Sequence, residues 1–108
     1  MRSLEDLLPL LKSRTEGGSM TWEADGLGFK TRFANHEFVV WNWTDRDDEI
    51  SGYTLQLKNQ KNLVLDSIVA SEYSPNHEFL GKIFNGARRI AYKVEDVISD
   101  LELALMQS

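Results

Sequence analysis

The chain has 108 residues, 42% hydrophobic and 27% charged, with a formal net charge of -5, two histidines and no cysteine. That size suits one ordinary domain around one core, because two domains would each be too small to bury one, so residues 1–108 are read as a single unit. The acidic balance argues against a general binder of nucleic acid or of anionic membrane, and the missing thiols exclude disulfides, thiolate nucleophiles and thiolate metal sites.

The opening stretch, MRSLEDLLPLLKSR, is leucine-rich, but Glu5 and Asp6 interrupt its apolar run and Pro9 sits within it, which makes a poor secretory leader. No run approaches the roughly 20 apolar residues of a membrane span. The expected location is cytoplasmic. Ser3 and Asp6 can cap a short helix with Leu4, Leu7, Leu8 and Leu11 on one face, and Pro9 is expected to shorten or kink it before Gly17 and Gly18 end it.

From Met20 to about Ala70 the period becomes strand-like. Residues 20–33 read as a first strand with a bulge or turn at Asp25 to Gly28, followed by EFVVWNW, GYTLQLK and LVLDSIVA. Tight connections at Ala34 to His36, Asp45 to Glu49 and Asn59 to Asn62 make this an antiparallel meander of about four strands. Tyr53, Leu55 and Leu57 alternate with Thr54, Gln56 and Lys58, so one face of the sheet should be covered and the other should meet water. The second strand is apolar on both sides: Val39, Trp41 and Trp43 point one way, Phe38 and Val40 the other. The larger rings should prefer the covered side, yet two tryptophans are hard to bury in so small a core, and which pair is exposed depends on register.

Ser74 to Ser108 carries the longest regular pattern, with Leu80, Phe84, Ala87, Ala91, Val94, Ile98, Leu101 and Leu105 alternating at spacings of four and three. Ser74 as N-cap and Pro75 at the first position should open the helix. Unbroken, it would be about 50 Å long, against a radius of gyration near 13 Å for a domain of this size. Lys82, Arg88, Arg89 and Lys93 occupy its first half, and Glu95, Asp96, Asp100 and Glu102 its second. Two helices meeting near Tyr92 or Lys93 would suit those charges better than one macrodipole. Leu80, Phe84, Val94 and Ile98 are expected to be buried. The fold class is therefore α+β: an antiparallel meander covered on one face by a short N-terminal helix and a long, kinked or broken C-terminal helical segment.

The recognised chemical motifs are absent. His77 and Glu78 open like a zinc-protease sequence, but Gly81 stands where the second histidine belongs. Asp45 to Glu49 resemble a calcium loop in composition only, since Ile50 and Gln56 replace its glycine and its bidentate glutamate. Gly26 and Gly28 lack the rest of a dinucleotide loop, and no serine lies in a nucleophile elbow. The expectation is a non-enzymatic chain without metal or cofactor.

Two surfaces remain as candidates. Phe38, Val40, Trp41 and Trp43, beside the acidic turn residues Asp45, Asp47, Asp48 and Glu49, have the make-up of a protein-binding patch, although strand aromatics are more often core. The basic residues Lys82, Arg88, Arg89 and Lys93 could hold phosphates or an acidic partner, although such a cluster is more often a solvated face. The sequence thus predicts a small acidic protein-binding module of the inhibitor, immunity-factor or accessory-subunit kind, whose partner is a basic or neutral protein surface or a second copy. The alternatives are a small-molecule or nucleotide sensor with its ligand between helix and sheet, and a nucleic-acid adaptor using the basic cluster.

Overall fold

The structure, a computed structural model, describes residues 2–108. A single 3-10 turn, Leu4–Leu7, runs into α1, Leu8–Glu16, and the chain then forms β1 (Glu23–Asp25), β2 (Gly28–Phe33), β3 (His36–Asp45), β4 (Ile50–Lys58) and β5 (Val64–Ser71). Two helices follow, α2 (His77–Ala91) and α3 (Val94–Met106). The strands pair antiparallel in sequence order, giving a meander of five strands rather than about four. The extra strand comes from Asp25 to Gly28: Gly26, at φ +59°, closes a tight turn that folds Glu23–Asp25 back onto Gly28 to Lys30. Of the two readings the sequence offers at Asp25 to Gly28, a bulge or a turn, the left-handed glycine makes it the turn.

At the N-terminus the Ser3 N–H donates to Asp6 Oδ2 at 2.9 Å, as the capping pattern requires. Pro9 falls in the first turn of α1, where its missing N–H costs nothing, so it marks the switch from 3-10 to α geometry instead of kinking a longer helix. The Leu4 N–H donates to Asp66 Oδ2, tying this end to β5, and the buried Trp22 indole donates to Thr15 Oγ1 at 3.1 Å, tying α1 to the segment that leads into β1.

The core lies between one face of the sheet and the pair α1 and α2. Val40, Leu55, Ala70, Leu80, Ile83 and Ala87 are fully enclosed there. Phe84, expected to be buried, is half-buried; its ring packs edge-on to Phe29 and tilted against Tyr53, with both centroids 5.3 Å away. Gly86 packs on Thr15 so closely that a Cβ there would come within 2.7 Å of Thr15 Cγ2, which is how α1 and α2 approach.

The start of α2 also differs from expectation. The helix begins at His77, with Asn76 as an N-cap whose side chain makes no capping bond. The hydroxyl of Ser74 is occupied elsewhere, accepting from the Ser71 N–H at 3.1 Å, so Ser74 and Pro75 shape the strand-to-helix turn.

The break near Tyr92 and Lys93 is present: Lys93 is left-handed, at φ 52° and ψ 47°, and separates α2 from α3. Beyond it the core ends. No residue of α3 is buried; Val94 is half-buried and Ile98, expected in the core, is 51% exposed. The radius of gyration is 15.7 Å, against about 13 Å for a compact domain of this length.

Candidate functional site

The two faces of β3, left open by the sequence, divide against the simple preference of large rings for the covered side. Phe38 and Val40 face the helices and join the core, whereas Trp41 and Trp43 lie half-buried on the open face, beside Val39, which is buried. The pairing explains why. Trp41 stands opposite Gly28 on β2 and Trp43 opposite Gly52 on β4. A Cβ at Gly28 would meet the Val40 carbonyl and lie 2.8 Å from Trp41 Cβ; one at Gly52 would meet the Ala70 carbonyl and lie 2.5 Å from Trp43 Cζ2. Each large side chain is therefore accommodated by a missing one on the neighbouring strand. The covered side has no such room, because Leu55 and Phe29 already fill it beneath α2.

The Trp43 indole N–H is buried without a protein acceptor among the described residues. Around the tryptophans the open face is mixed: Lys30 pairs with Glu23 at 3.9 Å, and Thr54 and Gln56 stand on β4. The exposed turn Asp45 to Glu49 follows directly, held by Asp45 Oδ1, which accepts from the Asp47 N–H at 3.0 Å. The tryptophans and the acids thus form one surface, while Phe38 and Val40 belong to the other side of the sheet.

The basic residues also separate. Lys82, Arg89 and Lys93 line a groove of about 530 Å³ at the α2–α3 elbow, together with Glu16, Glu95 and Asp96. Arg88 lies outside it. Lys82 makes an ion pair with Glu78 at 3.1 Å, so part of this charge is already answered on α2. The elbow groove opens at the margin of the fold, and the space between α2 and the sheet is filled by core side chains. Among the described residues no group of three or more histidines and carboxylates is placed to hold a metal ion. Among the same residues no helix is long and apolar enough to cross a membrane.

Two apolar surfaces were not anticipated as sites. On α3, Val94, Val97, Ile98, Leu101, Ala104 and Leu105 fall within an arc of about 120° at 100° per residue. Leu101 is 56% exposed and Leu105 74%. The stripe had been read from the sequence, but as core. The second surface is a cleft of about 270 Å³ between α1 and the β2–β3 hairpin, lined by Leu7, Leu10, Leu11, Met20, Phe33 and Phe38, with Arg14 its one charged lining residue. Leu10 is 65% and Phe33 45% exposed, and the Arg14 guanidinium lies 5.4 Å above the Phe33 ring. The available signal was Leu10, a leucine outside the apolar face assigned to the first helix.

Comparison with protein-family models, with curated proteins and with solved structures finds no match to this chain.

Proposed function

We propose that this chain is a non-enzymatic protein-binding module whose principal contact surface is α3, with the tryptophan face of the sheet and its acidic turn as a second surface. The observation that carries this reading is a helix of 13 residues with a continuous apolar arc and no buried residue. A helix of that make-up in water loses the packing that normally stabilises it, and an unpartnered apolar arc of this size is a feature of interaction sites. The apolar arc supplies the buried centre of a contact, and the carboxylates beside it supply a charged rim that favours a basic or neutral partner.

The test is affinity capture from the native host with the parent chain, with Ile98→Glu combined with Leu101→Glu, and with Trp43→Ala. The parent is expected to recover one protein in stoichiometric amount, the α3 variant to lose it, and Trp43→Ala to weaken recovery. Equal recovery by the parent and the α3 variant would remove α3 from the function.

A second reading has one observation in its favour. The elbow groove has the size of a small-ligand site, and three cations, Lys82, Arg89 and Lys93, line it. A nucleotide or other phosphorylated metabolite would raise the melting temperature of the parent and leave that of Arg89→Ala unmoved.

A further inference from the structure

Two exposed apolar surfaces of this chain are complementary to each other. The arc on α3 is bordered by Glu95 and Glu102 on one edge and by Asp96 and Asp100 on the other, and no lysine, arginine or histidine occurs between Val94 and Met106. The cleft beside α1 presents Leu7, Leu10 and Phe33, and among the described residues that line it the charged one is a cation, Arg14. An apolar helix with acidic borders therefore has, on the same chain, an apolar seat with a basic side chain. We propose that α3 of one copy seats in this cleft of a second copy, and reciprocally, so that the chain forms a two-fold dimer; this rests on reading α3 as a protein-binding surface.

The exposed area is what such a dimer would need. A folded monomer of 12.4 kDa exposes about 6,100 Å². This chain exposes 7718 Å², an excess of roughly 1,600 Å² over that scale. A stable pair buries about 800 Å² on each partner, an area smaller than that whole-chain excess. The charge pattern then selects the seat. Two α3 helices packed against each other would bring acidic borders together along the whole seam, a like-charge arrangement that opposes pairing. The cleft instead places Arg14 where those carboxylates arrive. A reciprocal contact of this kind is isologous and closes on itself, so it ends at two copies rather than continuing as a fibre.

The experiment measures mass in solution by light scattering after size exclusion, across a wide dilution series, for the parent, for Leu101→Glu and for Leu10→Glu. Both substituted positions are exposed, so the fold of the single chain is retained, and circular dichroism verifies it. The parent is expected at twice the chain mass when concentrated, dissociating on dilution. Each variant alone should show a dissociation constant at least about a hundredfold higher, because every contact it can make carries an added carboxylate into a mainly apolar seat. Mixing the two variants should restore a pair weaker than the parent's, since the intact α3 of Leu10→Glu meets the intact cleft of Leu101→Glu. A parent that is monomeric at every concentration would overturn the proposal, whether α3 then takes another protein or closes on its own chain. Captured partner lost on α3 substitution would in that case leave the binding function standing and remove only self-association. A pair that forms equally in all three proteins would place the interface elsewhere and overturn the proposal as well.

Discussion

α2 and α3 are two halves of one sequence pattern with opposite fates. In α2 the stripe reaches Leu80, Ile83 and Ala87, all fully buried, whereas in α3 the same spacing continues through Ile98, Leu101 and Leu105, each more than half exposed. The spacing of apolar residues decides which side chains share a face of a helix; whether a surface exists to meet that face is decided by the rest of the fold. Here α2 alone lies across all five strands and α1 packs chiefly on α2, and the left-handed Lys93 turns α3 away from both.

The largest expected difference between the halves comes from removing the same side chain in the core. Leu80 is fully enclosed against the sheet, so Leu80→Ala removes its packing and leaves a cavity that the surrounding strands cannot close. The cost is expected to be about 2–5 kcal/mol, a large part of the roughly 5–15 kcal/mol that holds a domain together. It would appear as a fall in the urea midpoint with an unchanged slope.

Much of this half of the molecule was legible from residue types alone. The meander followed from alternation and turn residues, and the helix break from the reversal of charge between Arg89 and Glu95 together with the length argument. The fate of β3 was not legible. Its two faces are both apolar, so periodicity could not rank them, and the preference of large rings for the covered side was outweighed by a feature spread over three strands, namely glycines at positions 28 and 52 opposite the tryptophans. The exposure of α3 was hidden for a related reason. Burial of a stripe depends on what surface the rest of the fold presents to it, and no local window of sequence contains that surface.

An intermediate effect is expected on the open face, where packing is real but one-sided. A Cβ at position 52 would strike the Ala70 carbonyl and the Trp43 ring, so Gly52→Ala must displace the backbone pairing or the indole. Overpacking of this kind costs about 1–3 kcal/mol. The accompanying sign is a changed tryptophan fluorescence in the folded state, which Leu80→Ala, on the opposite face, should not produce to the same degree. Unaltered stability and emission would mean that Trp43 does not lie across Gly52, and the account of why the tryptophans occupy the open face would fail.

The smallest effect is expected where the pattern continues but the core does not. Leu101 occupies in α3 a place on the stripe like that of Leu80 in α2, yet in the single chain it is already 56% exposed and has no sheet beneath it. Leu101→Ala should therefore move the stability of dilute, monomeric protein by no more than about 0.5 kcal/mol, as for surface positions generally, and alanine's higher helix propensity offsets part of even that. Concentrated protein should behave differently. If two copies pair through α3, association stabilises the parent by mass action, and the gap between parent and Leu101→Ala should widen as concentration rises, while the gap for Leu80→Ala is already large at dilution. The measurement is a pair of denaturation curves for each protein at the two ends of a dilution series. A loss of several kcal/mol for Leu101→Ala in the dilute sample would show that α3 packs on its own domain after all, and the contrast between the two helices would disappear.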